Sequence, residues 1–127
     1  MHYTNFDKVA EFMKAFGQDV NTTPQRLDEP TEMLRLRLIH EEMLEVKEAI
    51  HYEGLPEIAK ELCDLLYVVY GMGHSMGIDL NACFNVVHES NMSKLGIDGK
   101  PIYREDGKVL KGPNYFEANL APVLDNA

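Results

Sequence analysis

The segment from Leu62 to Ile78 places the strongest constraint on the fold, because it carries a single formal charge, Asp64. A helix that is apolar on every side is stable only when other elements bury it. The segment is too short for a membrane span, and His74, Ser75 and three glycines make it too polar for one. We therefore expect a central helix inside a soluble helical protein.

Glycines and prolines give the helices of this chain clear ends. Pro56 suits the first turn of the helix that contains the apolar segment. Asp28 or Thr31 is expected to cap the preceding helix, and Asp79 the following one. The expected fold is all-α, a bundle of four to five helices. The four main helices are predicted at about residues 5–16, 32–52, 56–76 and 80–94, ending at Gly17, Gly54, Gly77 and Gly96.

The character of the sequence changes after Gly96. Asp106 and Gly107 separate two short runs, a pattern that predicts a β-hairpin. The tail that follows Gly112 looks irregular. We therefore expect a single domain over residues 1–127, with a helical body at about 5–95 and a small C-terminal hairpin and tail at about 96–127.

The acidic charge balance limits the partners of the protein. The formal net charge of −9 argues against nucleic acid, which requires a basic surface. An anionic substrate needs a metal cation to mediate its contact with such a protein. The sequence has no Cys/His spacing typical of zinc, and its first residues lack the layout of a signal peptide. We expect a cytoplasmic protein with no membrane partner.

Four glutamates lie within HEEMLEVKEAI, residues 40–50, where like charges on one helix repel by about 0.2–0.5 kcal/mol per pair. On a helical projection, Glu42 and Glu45 fall inside the apolar stripe, and Glu41 and Glu48 lie at its edge. An acidic run is most often a solvated face. A buried and unpaired carboxylate, however, costs about several kcal/mol, so the two inward-facing glutamates require a compensating charge.

The next two helices repeat this pattern. Glu61 and Asp64 are three residues apart and share one helix face, while Asn91 and Lys94 project toward the apolar stripe of the last helix. Converging carboxylates favour a hard divalent cation, Mg²⁺ or Mn²⁺, and the lack of any Glu-x-x-His pair argues against a di-iron site. Asn91 and Lys94 also have a simpler explanation, as polar and cationic residues at a helix end.

Three basic residues, Arg104, Lys108 and Lys111, surround the predicted hairpin turn. They form either a solvated ribbon or a flap that brings cations to the phosphates of a substrate or to a neighbouring subunit. The charge pattern alone leaves both interpretations open.

The acidic pairs resemble the signature of a known family. EEMLE at 41–45 followed by ELCD at 61–64 is similar to the EExxE and ExxD motifs of the MazG-like, all-alpha nucleoside triphosphate pyrophosphohydrolases. NMSK at 91–94 resembles the third motif of that family. The likeness covers most of residues 5–120, including GKVLKGPNYF, and points to the short stand-alone members labelled phosphoribosyl-ATP pyrophosphohydrolase-like.

This resemblance implies an enzyme that cuts a (d)NTP to a (d)NMP and pyrophosphate with the help of Mg²⁺, for which Mn²⁺ substitutes. It implies that Glu41 either binds a further metal ion or positions the attacking water, and that Asn91 and Lys94 hold phosphate oxygens. The implied metal ligands are Glu42, Glu45, Glu61 and Asp64.

Two alternatives remain at this point. Phosphoribosyl-ATP is a rival substrate within the same reaction class, and a non-catalytic module that binds metal or nucleotide is a rival of a different class. Members of the family work as dimers or tetramers whose helices complete one another's sites, so a homodimer or homotetramer is expected. The preferred base, the number of metal ions and the choice between dimer and tetramer do not follow from the sequence.

Overall fold

The computed structural model describes residues 3–125, and within them the protein is all-α, as the sequence predicts. Residues up to Leu80 form one compact unit, and a second unit begins at Asn81. The prediction of a single domain stays a prediction. The described residues form five helices: α1 (Asn5–Ala15), α2 (Glu29–Tyr52), α3 (Leu55–Met76), α4 (Leu80–Met92) and α5 (Ala121–Leu124).

Local capping residues set the ends of the first three helices. Thr4 and Asp7 form a reciprocal capping box at the start of α1, with N–O distances of 3.0 and 3.1 Å. Asp28 caps α2 by accepting a hydrogen bond from the backbone N–H of Thr31 at 3.3 Å. Gly77 ends α3 in the left-handed conformation, with φ of 68°. These contacts confirm the predicted caps at Asp28 and Gly77.

α2 and α3 pack against each other as an antiparallel pair, because only Glu53 and Gly54 connect them. Residues spaced by seven on α2, namely Arg35, Glu42 and Ala49, lie in one row on a helix face. Ala49 is buried, and the guanidinium of Arg35 lies against Gly71 of α3. This row therefore faces α3.

The loop between α1 and α2 is fastened to the C-terminal end of α3. The backbone N–H groups of Asn21 and Gln25 donate to the carbonyl oxygens of His74 and Met76, each at 2.9 Å. The amide nitrogen of Asn21 also donates to the carbonyl oxygen of Ser75 at 2.7 Å. The loop thereby satisfies carbonyl groups that the end of a helix leaves without partners.

The buried core of this unit lies where α1 packs on α3. The ring of His74 stacks on Phe6 at 3.7 Å between centroids, and its Nε2 lies 2.7 Å from the carbonyl oxygen of Phe6. Val9 and Met13 complete this core. His74 is thus a hydrogen-bonded structural residue.

α3 is less buried than its apolar composition predicts. Leu62, Leu66, Tyr67 and Val69 keep between 37% and 50% of their surface exposed. Among the described helices of this unit, α1 and α2 make the main contacts with α3, and these contacts leave the four side chains partly uncovered. Within residues 3–125, no helix combines the length and apolarity that crossing a membrane requires.

The predicted C-terminal hairpin does not form as a pair of strands. Gly107 makes the expected turn with φ of 89°, but the described residues show only an isolated antiparallel bridge between Tyr103 and Val109. The prediction of a hairpin was therefore wrong in extent. A two-stranded ribbon is marginal without a packed face. The tail contains one helical turn, α5.

Candidate metal centre

Three carboxylates of the first unit meet where α2 and α3 pack together. Glu42 comes from the α2 row that faces α3, and Glu61 and Asp64 come from one face of α3. One oxygen from each lies within 4.8 Å of the others, and all three residues are half-buried. We call Glu42, Glu61 and Asp64 the acidic triad.

The acidic triad holds its negative charges in an unfavourable environment. Burial raises the pKa of the Glu42 carboxyl, and the charges of Asp64 and Glu61 raise it further. The charge of Glu45 acts in the same direction, while the cation of Lys60 opposes it. A site with these properties gains stability when a cation binds.

Lys60 is a member of this site that the sequence reasoning missed. Its Nζ lies 2.6 Å from Asp64 Oδ2 and 3.3 Å from Glu61 Oε1, and these contacts raise the pKa of the lysine. The ammonium group remains largely exposed. The spacing of four residues between Lys60 and Asp64 is the signal that would have revealed the pair.

The donor set of the acidic triad fits a hard divalent cation. Carboxylate oxygens are the ligands that Mg²⁺ prefers, and ligands at about 2.0–2.1 Å from the ion lie at most about 4.2 Å apart. The oxygens of Glu42, Glu61 and Asp64 meet this limit after movements of roughly half an ångström, which half-buried side chains make readily. The residues present therefore match the cation that the sequence predicts.

Other predicted acids lie outside the triad. Glu41 and Glu45 are exposed on α2, as is Glu48. The apolar stripe onto which Glu45 was projected is not buried, because Leu34 on that stripe is 48% exposed to solvent. The charge of Glu45 raises the pKa of Glu42, but Glu45 is not among the carboxylates that converge in the triad.

The predicted phosphate-binding residues belong to the second unit. Asn91 is exposed near the end of α4, and Lys94 is half-buried just after that helix. The carbonyl oxygen of Lys94 accepts a hydrogen bond from the N–H of Gly112 at 2.8 Å, which ties the end of α4 to the segment after the turn.

Two of the three basic residues around the turn, Arg104 and Lys111, have local partners. Arg104 forms an ion pair with Asp106 across the turn, and the ammonium of Lys111 lies 4.8 Å from the ring centroid of Tyr115. Lys108 is exposed. Their role in binding phosphate stays a prediction.

Comparison with known proteins places the chain in a family. The sequence pattern of phosphoribosyl-ATP pyrophosphohydrolase matches residues 9–91, which is more than half of the chain and includes the whole acidic triad. The chain belongs to this family. The resemblance seen in the EExxE and ExxD motifs is therefore confirmed.

Two individual proteins are similar to this chain. Uncharacterized protein L479 of Acanthamoeba polyphaga mimivirus is 38% identical over 124 residues, which cover 94% of this chain and 46% of that protein. The chain thus spans less than half the length of this relative. A crystal structure from Exiguobacterium sp. 255-15, described as a candidate NTP pyrophosphohydrolase, is 21% identical, with a TM-score of 0.49 over 97% of this chain and 93% of the other.

Proposed function

We propose that the protein is a metal-dependent nucleoside triphosphate pyrophosphohydrolase, which cuts a (d)NTP to a (d)NMP and pyrophosphate. The observation that carries this proposal is the acidic triad, in which Glu42 of α2 meets Glu61 and Asp64 of α3. Membership of a family named for pyrophosphate release supports the same reaction. Control of the nucleotide pool is the corresponding role in the cell.

The residues of the acidic triad would hold Mg²⁺. Glu45 is proposed as a further ligand because the EExxE motif of the family resemblance includes it. The bound cation supplies a Lewis acid for phosphoryl oxygens and lowers the pKa of a coordinated water. Mn²⁺, which accepts the same oxygen ligands, substitutes for it. Glu41 is adjacent to Glu42 in sequence and is exposed, so its carboxylate is free to accept a proton from the attacking water or to bind a second ion.

Basic and amide side chains named by the family resemblance are the proposed phosphate-binding groups. Lys94 offers a point charge to a phosphate oxygen, and Asn91 offers an amide N–H. The exposed Lys108 and Lys111 and the paired Arg104 would add positive charge around the triphosphate. This division of roles reconciles a polyanionic substrate with a protein whose net charge is −9.

Phosphoribosyl-ATP is the second candidate substrate, and the family match favours it by name. Both substrates present the same triphosphate to the acidic triad. They differ only in the part of the molecule beyond the triphosphate, where phosphoribosyl-ATP carries a second ribose and a further phosphate.

The deciding experiment measures pyrophosphate release from a panel of NTPs, dNTPs and phosphoribosyl-ATP with Mg²⁺ or Mn²⁺, and with EDTA as the control. We expect release that depends on metal and is confined to one or a few substrates. A folded protein that releases no pyrophosphate from any of them would instead be a non-catalytic module, and the proposed function would be wrong.

A second copy of the chain is the proposed macromolecular partner. Leu36, Met43 and Ile50 recur every seven residues on α2, and each keeps more than half of its surface exposed. On α3, Leu55, Leu62 and Leu66 form another exposed apolar row. Rows with this spacing are typical of helices that pack on a partner helix, and monomers seldom leave them uncovered. A homodimer or homotetramer accounts for both rows.

A further inference from the structure

A polar cleft of about 250 Å³ opens between the α1–α2 loop, the start of α2 and the end of α3. Its walls carry Asn21, Gln25, Arg26, Asp28, Arg35 and Ser75. No part of the acidic triad lines it, and none of the roles assigned above uses it.

Arg35 is the residue that makes this cleft a candidate binding site. Its guanidinium is half-buried, and its one hydrogen bond among the described residues is a long contact of 3.4 Å with Gln18 Oε1. Within residues 3–125, no carboxylate lies within 4.0 Å of it, and burial lowers its pKa. A half-buried guanidinium has five N–H donors to satisfy, so Arg35 retains donors for a ligand.

The walls of the cleft are held in place by contacts on both sides. The loop is bonded to α3 through Asn21 and Gln25, as described above. A side chain on Gly77 would lie 2.2 Å from the carbonyl oxygen of Thr23, which shows how closely the loop approaches α3. Gly71 likewise leaves room for Arg35, whose Nη1 would lie 2.9 Å from an added Cβ. The cleft is therefore a preformed feature of this unit.

The cleft lies in register with the acidic triad. Arg35 precedes Glu42 by seven residues on α2, and Gly71 follows Asp64 by seven residues on the antiparallel α3. At 1.5 Å per residue, this spacing is about 10 Å along the same face of the helix pair. The separation is comparable to the length of one nucleoside. The nucleoside of a triphosphate held at the triad would therefore be long enough to reach Arg35.

The charges around the cleft restrict what it accepts. Arg26 is already bound to both carboxylate oxygens of Glu32, at 2.8 and 3.0 Å. Asp19 and Asp28 also line the cleft, so Arg35 is the single cation there without an ion-pair partner among the described residues. A dianionic phosphate would meet two carboxylates and one available guanidinium, whereas a neutral group with hydrogen-bond acceptors meets no net repulsion.

We infer that the Arg35 cleft binds the base of an ordinary nucleoside triphosphate, and that it disfavours the second phosphate of phosphoribosyl-ATP. This inference rests on the proposed function and names its substrate class. The guanidinium of Arg35 donates to carbonyl oxygens or ring nitrogens of the base, the acceptors that arginine recognises in guanine. The amide side chain of Gln25 supplies further donor and acceptor groups at the cleft wall.

The test measures binding separately from turnover. Calorimetry with Mg²⁺ would compare α,β-methylene analogues of ATP, GTP, CTP and UTP with inorganic tripolyphosphate, which has no base. The variant is Arg35→Met, and the matched control is Arg37→Met, at an exposed position two residues further along α2 that does not line the cleft. Arg35→Lys keeps the charge without the planar donor fork, and thermal melting checks that each variant folds.

We expect Arg35→Met to weaken binding of the best nucleotide analogue by about 5- to 150-fold, the loss in affinity that follows from removing a specific arginine–base contact. Tripolyphosphate binding should stay unchanged, Arg37→Met should match the wild type, and Arg35→Lys should fall between. The inference would be wrong if Arg35→Met lost as much affinity for tripolyphosphate as for the nucleotide analogue. It would also be wrong if the variant lost no affinity for any nucleotide, or if the wild type bound no nucleotide.

The substrate panel separates this inference from the proposed function. If phosphoribosyl-ATP were the one substrate hydrolysed, the proposed pyrophosphohydrolase activity would be supported and the proposed base subsite would be wrong. The expected binding pattern without pyrophosphate release from any substrate would support the subsite and reject the enzyme.

Discussion

At the scale of single residues, burial raises the pKa of Glu42, and the charges of Asp64 and Glu61 raise it further. Replacing Glu42 with Gln removes a charged ligand from the acidic triad while preserving its shape. Mutating a residue that only supports a metal ligand typically lowers activity by roughly 10–100-fold. We expect the rate of pyrophosphate release to fall by more than this in Glu42→Gln. Glu48→Gln, an exposed glutamate on the same helix, is the control. Equal activity of the two variants would remove Glu42 from the metal site.

The raised pKa of Glu42 also predicts how stability depends on pH when EDTA removes divalent cations. The folded protein binds this proton more tightly than the unfolded chain, whose glutamate has an ordinary pKa of 4.5. The contribution of Glu42 to the free energy of unfolding is therefore present at low pH and is lost as the pH rises through the raised pKa. Urea unfolding of wild type and Glu42→Gln should show the variant gaining relative stability over this range. A difference independent of pH would contradict the prediction.

At the scale of elements, the left-handed glycine that ends α3 couples the helix to the cleft loop. Gly77→Ala would suffer the left-handed penalty of about 1–2 kcal/mol and a clash with the backbone of Thr23. Overpacking adds about 1–3 kcal/mol. Gly17→Ala is the matched control, because Gly17 has φ of 73° with no atom within 4 Å of an added Cβ. Urea unfolding should show a larger decrease in the free energy of unfolding for Gly77→Ala than for Gly17→Ala. Equal decreases would argue against a close approach of the Thr23 backbone to Gly77.

The same elements show what the sequence could predict and why. Helix ends were predictable at Asp28 and Gly77, because capping depends on residues a few positions apart. The pairing of Glu61 with Asp64 was predictable for the same reason. The register that sets Arg35 against Gly71 was not predictable from the sequence, because it depends on packing between two helices. Likewise the turn at Gly107 formed, but the strands around it required packing that the turn residues do not encode.

At the scale of the whole molecule, metal binding should stabilise the protein even without nucleotide. Repulsion within the acidic triad is present in the folded state and is relieved when a cation binds there. Mg²⁺ at 100 times its dissociation constant would add about 2.7 kcal/mol to the free energy of unfolding. Thermal melting in EDTA and in Mg²⁺ measures this effect, and Glu42→Gln should reduce it. An unchanged melting temperature in the wild type would mean that the free protein has no preformed ion site.

The exposed apolar rows also determine the state of the whole molecule in solution. Leu36 and Met43 are about half exposed on α2 and lie on a different face from Glu42. Replacing both with Gln should weaken self-association, because burying each side chain contributes about 1.5–3 kcal/mol. Sedimentation equilibrium should then show a dimer or tetramer for the wild type and for the control Glu48→Gln, but a monomer for the double variant. A wild type that is monomeric at all concentrations would contradict the proposed partner, because the apolar rows would then remain uncovered in solution.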